Sequence, residues 1–293
     1  LNQIIDENPK PSYKDYVLVL LFLKYISDKF VNQPYAPIKV PIGSSFQDLV
    51  KLKGKINIGQ EINKKILLPI AKENNFSTFP DFNDDQKLGT GKEMVDRLTN
   101  LIAVFENKNL DFTKNRADGD DILGDAYEYL MRNFASESGK KKGAFYTPSE
   151  VSRIMSLVIG ISDTNTSSST TIYDPTCGSG SLLLKIAEVA NSKISIYGQE
   201  LDTSTAVLSQ MNMIIHNNPT AQIIQGNTLS DPKFLDQGNL KKFDYVVANP
   251  PFSDKRWSNG ISTDSDKYNR FKFGIPPTKQ GDYAYLLHII ESL

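Results

Sequence analysis

The chain has 293 residues, 39% of them apolar and 23% charged, an ordinary soluble composition with enough length to bury a sizeable core. A net charge of −1 excludes a molecule that holds nucleic acid by bulk charge alone, although a local basic face is compatible with it. One cysteine excludes an intrachain disulfide and fits a reducing, cytoplasmic setting. The longest apolar run, residues 16–26, is too short to span a membrane and is broken by Lys24, and no signal peptide is visible.

Residues 1–136 are predicted to form a helical domain. "DYVLVLLFLKYISDKF" is apolar on all sides and predicts a buried helix. An irregular connection follows at 32–46, which carries Pro34, Pro37, Pro41 and Gly43. Met94, Leu98, Leu101, Ile102 and Phe105 form one helical stripe, and Ile122, Leu123, Ala126, Tyr129, Leu130 and Phe134 form another. A polar break at 136–143 then leads into a second domain, 137–293. There "TTIYD", "ISIYGQE", "AQIIQG" and "FDYVVA" read as strands, and "GSLLLKIAEVAN" and "STAVLSQMNMIIHN" as helices between them. The alternation predicts an α/β fold, a Rossmann-like parallel sheet with helices on both faces. The chain begins at Leu1 rather than Met and ends within a helical pattern, so it reads as a fragment.

In such a sheet ligands bind at the carboxyl ends of the strands. The first strand ends in "DPTCGSG", where Gly178 and Gly180 permit a tight turn and a helix is expected from about Ser179. Asp174 at the strand tip would repel a pyrophosphate and pair with a ligand ammonium group. No Gly-Lys-Ser/Thr follows, so this is not a Walker loop. The second strand ends in Glu200, placed to accept hydrogen bonds from ribose hydroxyls or to cap the next helix. The third ends at Asn227, suited to an adenine edge or to a local turn. An ammonium partner, a ribose partner and an amide together match a ligand that joins an amino acid to adenosine, such as S-adenosyl-L-methionine.

The fourth strand runs into Asn249-Pro250-Pro251-Phe252. The residue before a proline is held extended, so Asn249 projects beyond the strand, and Pro250 fixes its own carbonyl in a rigid frame. Two acceptors then converge on one point, which suits an NH2 group, and Phe252 offers a stacking face to the ring that bears it. Drawing the hydrogens of that group toward tetrahedral geometry localises a lone pair otherwise spread into the ring. The nitrogen can then attack a sulfonium methyl in line. Reaching such a base in DNA requires flipping it from the duplex.

"DPTCGSG" with "NPPF" resembles the amino-methylating DNA methyltransferases. "GAFYTPSEVSRIM" is similar to the extra cofactor motif that precedes the glycine turn in their gamma order. "LGDAYEYLMRNFASESGKKKGAFYTP", "LLFLKYISDKF" and "QGDYAYLLHII" extend the likeness over nearly the whole chain, to the modification subunit of type I restriction–modification systems. The resemblance implies a site-specific N6-adenine DNA methyltransferase. Two modification subunits would assemble with one specificity subunit on DNA, a restriction subunit can join, and no membrane is involved. It further implies that Phe145, Tyr146, Thr147 and Pro148 contact the cofactor, the last two at its methionine end. Asp174, Thr176, Gly178, Gly180 and Ser181 would line the turn, Glu200 and Leu201 the ribose side, and Asn227 and Thr228 the adenine side. Asn249, Pro250, Pro251 and Phe252 would hold the target adenine. Many of these enzymes carry Asp where Asn227 stands, and family members run well beyond this length.

Residues 253–279 hold six Lys or Arg against three Asp, with Trp257, Tyr268 and Phe271 interleaved; this suits a displaced strand and its phosphates, or a solvated loop. Cys177 in the turn, and His216 and His288 on helices, form no metal spacing, so no metal is expected. Two other readings carry the same or a related fold. One is methylation of a glutamine amide or RNA base, whose enzymes more often end the Asn-Pro-Pro motif in Tyr. The other is a scaffold without turnover.

Overall fold

The computed structural model describes residues 13–108, 110–112, 127–131, 147–191 and 194–293. The chain divides into two compact units, 1–138 and 139–293.

Among the described residues of unit 1, every regular element is a helix. Helix α1 (Lys14–Phe30) is buried along nearly its whole length, from Tyr16 to Ser27, because its apolar side chains leave no solvent face. Lys24 inside this helix pairs with Asp28 one turn on, at 2.5 Å, and Asp28 also accepts the Phe112 N–H at 3.1 Å. Helix α2 (Phe46–Val50) starts in a reciprocal capping box between Ser45 and Asp48. Helix α3 (Ile58–Glu61) continues through a π-turn, Ile62–Leu67, into α4 (Leu68–Asn74), which Asn75 ends in the left-handed region. After α5 (Asp85–Leu88), helix α6 (Lys92–Phe105) buries Met94, Leu98, Ile102 and Phe105 and leaves Leu101 half-buried. Residues 127–131 are helical; Tyr127, Leu130 and Met131 are buried, whereas Tyr129, expected on the buried stripe, is exposed. The rest of that expected helix lies outside the described residues.

In unit 2, helix α7 (Ser149–Val158) precedes β1 (Thr171–Asp174), α8 (Ser181–Val189), β2 (Ser195–Glu200), α9 (Thr203–Ile215) and β3 (Gln222–Gln225). A short hairpin, β4 (Leu235–Asp236) with β5 (Asn239–Leu240), comes before β6 (Tyr245–Val246) and the final helix α10 (Asp282–Ser292). The described strands form a parallel sheet in the order β3-β2-β1-β6. Its two faces follow from alternation. Ile172 stands opposite Ile196 and Tyr245, facing an aliphatic core with Leu182, Leu183 and Ile186 of α8. Tyr173 stands opposite Tyr197 and Val246, facing an aromatic cluster with Phe234 and Phe243. On that second side α10 packs close enough for the Phe243 N–H to bond the Ser292 carbonyl at 2.9 Å. The chain steps outward from β1 through β2 to β3 and returns to β6 on the other side of β1. The switch point therefore falls where Asp174 and Asn249 leave the sheet.

Two details differ from the sequence reading. The strand expected over 243–248 is confined to Tyr245–Val246, and Asp244 is exposed, because β6 has a neighbour only on the β1 side among the described residues. The hairpin at 235–240 was not expected. Its turn uses Gln237 and Gly238, both at positive φ (48° and 86°), a primed turn that suits the twist of two short strands. Among the described residues no helix is long and apolar enough to cross a membrane.

Candidate active site

The turn after β1 is built by two glycines in left-handed backbone, Gly178 at φ 54° and Gly180 at φ 79°. Helix α8 therefore begins at Ser181, capped by Gly180, two residues later than expected. Gly180 is also pressed against α9. A Cβ there would sit 2.5 Å from Met213 Cε and 2.7 Å from Ser209 Oγ, both groups buried. Gly180→Ala should therefore cost about 2 kcal/mol, through left-handed strain and this collision, read as a lower urea midpoint with unchanged slope.

Two carboxylates meet at this turn. Asp174 is buried, and its Oδ1 accepts the Thr176 N–H at 2.9 Å. Burial pushes its carboxyl up to about 7, the Thr176 backbone bond opposes that, and the Glu200 charge adds to it. Glu200 accepts the Gly178 N–H at 3.0 Å through one oxygen and the Asp202 N–H at 2.8 Å through the other. Burial raises its carboxyl as well, partly offset by those two bonds. The leading influences on both groups are burial, local hydrogen bonds and neighbouring carboxylates rather than cations. The capping alternative for Glu200 does not hold. Asp202 caps α9, accepting from the Thr205 N–H and hydroxyl, each at 2.9 Å.

At the end of β3 the Asn227 side-chain oxygen accepts the Leu229 and Ser230 N–H groups at 2.9 and 3.1 Å, the local turn weighed from sequence. Thr228 donates its hydroxyl to the Pro175 carbonyl and so fastens this segment to the β1 end. Ser181 and Thr147 are joined by two hydrogen bonds, Thr147 N–H to Ser181 Oγ at 3.4 Å and Ser181 hydroxyl to the Thr147 carbonyl at 3.2 Å. Asn249 donates its amide N–H to Thr147 Oγ1 at 3.4 Å. The structure thus brings the segment before the sheet, the glycine turn and the end of β6 together at one point. Phe145 and Tyr146 lie outside the described residues; Pro148 stands at the head of α7.

The resulting crevice, about 170 Å³, is walled by Pro175, Thr176, Glu200, Leu201, Gly226, Asn227, Thr228, Asn249, Pro251 and Tyr285. Leu201 is exposed at its rim and Phe252 stands 66% exposed just outside it. Ser253 turns the chain back at φ 53°, and its N–H bonds Asp282 of α10 at 2.9 Å. Sequence reasoning missed Tyr285, because α10 is apolar on most sides and nothing in its pattern marks which ring faces the crevice. Its hydroxyl donates to Asp254 at 3.4 Å. A larger groove, about 910 Å³, lies within unit 1 against Leu67, Phe76 and Phe79. Its charged wall groups are Lys64, Lys72 and Asp81, with no pair of buried carboxylates, so size does not mark the chemistry.

The basic loop is only partly what its composition suggests. Trp257, Arg270 and Phe271 are buried, Trp257 packing on Phe271 at 5.7 Å between ring centres. Lys255, Arg256, Lys267, Lys272 and Lys279 remain exposed, Lys272 lying over the Phe273 ring at 5.4 Å. Cys177 is buried under Gly198, and burial, with the Asp174 and Glu200 charges, pushes its thiol well up, away from nucleophilic use. Buried His288 is held neutral, lowered to about 3 by burial and the Arg270 charge. Among the described residues no group of three His, Cys, Asp or Glu could hold a metal.

A parallel sheet with a carboxylate-lined crevice at its switch point places the second unit among Rossmann-like methyltransferase domains. The fold aligns with the type I restriction–modification system methyltransferase subunit from Streptococcus thermophilus at a TM-score of 0.74 and 27% identity, over 96% of this chain and 67% of that one. The chain belongs to the N-6 DNA methylase family, whose model matches residues 118–293. It is 35% identical over 239 residues to the type I restriction enzyme MpnII methylase subunit of Mycoplasma pneumoniae, covering 76% of this chain and 42% of that protein. It is 32% identical over 307 residues to the MjaVIII methylase subunit of Methanocaldococcus jannaschii, covering 93% and 51%. The chain thus spans about half the length of the curated relatives it matches.

Proposed function

We propose that the chain is the catalytic part of a DNA methyltransferase that moves a methyl group from S-adenosylmethionine to N6 of an adenine flipped out of the duplex. One observation carries this reading: Glu200 lines a crevice with Asn249 and Pro251, at the turn where it faces the buried carboxylate of Asp174. The residues fit the cofactor. Asp174 would pair with its ammonium group, Glu200 would take its ribose hydroxyls, and the close Gly180 turn would admit its backbone. The side-chain oxygen of Asn227 is committed to its turn, so contact with the cofactor adenine would fall to the amide NH2, a donor suited to a ring nitrogen. When bound, S-adenosylmethionine supplies the electrophilic methyl.

The target side follows from Asn249. Its NH2 is held by Thr147, which orients the carbonyl end as the acceptor. With the Pro250 carbonyl it would take both hydrogens of an adenine amino group, and exposed Phe252 would stack on the ring. No strong base is required, because the amine becomes acidic only as the N–C bond forms; positioning and fixed dipoles carry the step. Calorimetric titration of the purified protein with S-adenosylmethionine, repeated on Asn249→Ala, tests the assignment. Binding by both supports it, and loss of binding in Asn249→Ala alone would remove Asn249 from the target role.

By likeness to the methylase subunits named above, the chain would act with a second copy, a specificity subunit that reads the DNA and, in some assemblies, a restriction subunit. The chain alone should then bind DNA weakly, without sequence preference, and more weakly still as salt rises. Fluorescence anisotropy with matched and scrambled duplexes checks this; tight, sequence-selective binding would contradict it.

A further inference from the structure

We infer that Arg270 is a positioning residue of this site, tying the loop that begins at Asn249–Phe252 to the crevice wall at residues 227–229. The inference rests on the methyl-transfer reading and goes beyond it in naming what holds the two halves in register. Arg270 is 2% exposed, so its position is internal rather than phosphate-facing. Its Nε donates to the two Asp266 carboxylate oxygens at 3.2 and 3.0 Å, and Nη2 donates to Oδ1 at 2.6 Å. The remaining arm, Nη1, reaches out of this pair and donates to the Leu229 carbonyl at 2.8 Å. Leu229 is buried two residues from Asn227, and its own N–H is bound by Asn227 Oδ1. The wall is therefore held on one side by Thr228 to Pro175 and on the other by Arg270. The loop end is fixed in turn by Trp257, which donates to the Pro277 carbonyl at 3.0 Å and packs in one cluster with Leu229 and Tyr285.

Arginine is suited to this by its planar fork. A lysine could face Asp266 but could not hold two carboxylate oxygens and a carbonyl on another segment together. If the tie is lost, the wall that would carry the cofactor adenine shifts relative to Asn249, and a shift near an ångström is enough to depress transfer. A purely structural ion pair would lower the melting temperature and leave the kinetics alone.

The test uses the full-length protein with its accompanying subunits and two variants. One is Arg270→Lys. The other pairs Arg270→Met with Asp266→Asn, so that no charge is left buried without its partner. Below the melting temperature of each variant, S-adenosylmethionine affinity and kcat should each fall roughly tenfold in the paired variant and less in Arg270→Lys, with KM for DNA within about twofold. Backbone hydrogen exchange at residues 227–230 should rise in both. Wild-type affinity and turnover, with only a lower melting temperature, would overturn the inference; if the paired variant does not fold, Arg270→Lys decides alone on the same criterion. Failure of the unmodified protein to bind S-adenosylmethionine would instead overturn the methyl-transfer reading. Hydrogen exchange would then settle the tie by itself, and unchanged exchange would sink it.

Discussion

Replacing Asn249 with alanine should lower methyl transfer by at least about a thousandfold while leaving cofactor affinity within about twofold, the behaviour of a group that meets the reacting atoms rather than the cofactor. The geometry supports this separation. Asn249 sits at the end of β6, on the far side of the crevice from Glu200 and Asn227, and it meets Thr147 through one long hydrogen bond of 3.4 Å. It is only half-buried, so truncation should cost under about 1 kcal/mol of stability. Single-turnover methylation and calorimetry on one preparation measure both quantities. Equal losses of binding and turnover would mean that Asn249 serves the cofactor.

Asp174→Asn should make the protein more stable and disable it. Moving the carboxyl from 3.8 to about 7 corresponds to about 4 kcal/mol of opposition to its charge in the folded state. The sign follows from proton uptake. Between those two values the folded protein holds the proton more firmly than the unfolded chain, so this group makes stability fall as pH rises from about 4 to 7, with no further change above. An amide keeps an oxygen for the Thr176 N–H and carries no charge, so Asp174→Asn should remove most of that loss and raise the Tm at pH 8. It should also abolish pairing with a ligand ammonium group and weaken S-adenosylmethionine binding by about tenfold or more. Binding to the unmodified protein near pH 6 should release a proton, because a cation at Asp174 would draw its carboxyl back down; calorimetry in two buffers of different ionisation enthalpy reads that proton. A lower Tm in Asp174→Asn, or no proton release, would remove Asp174 from the ammonium role. A buried charge that costs stability is expected where a site is shaped for its ligand rather than for folding.

Much of this site is legible in the sequence because its parts sit where periodic segments end. The strand and helix patterns around 171–225 place Asp174, Glu200 and Asn227 at successive strand tips without any knowledge of contacts. Asn249 follows from the rule that a residue before proline is extended. What was not legible depended on choices between neighbours. "ELDTST" offers two acids for one helix cap, and only the structure assigns the cap to Asp202 and leaves Glu200 facing the crevice. The hairpin at 235–240 has strands too short to alternate, and Gln237-Gly238 was its one signal. The dense charges of loop 253–279 read as a face for phosphates or as a solvated loop, yet Arg270 is internal; Asp266 four residues before it was the available hint. Tyr285 could not be found, since α10 carries apolar side chains on its exposed face too (Tyr283, Leu286 and Ile290), which erases the pattern that would single out one ring.

The most direct test is nucleoside mass spectrometry of DNA incubated with S-adenosylmethionine and the full-length protein with its accompanying subunits, beside the Asn249→Ala variant. N6-methyladenine should accumulate with the unmodified protein and be absent with the variant. Methyl groups appearing on cytosine or on protein, or equal N6-methyladenine from both proteins, would contradict the account.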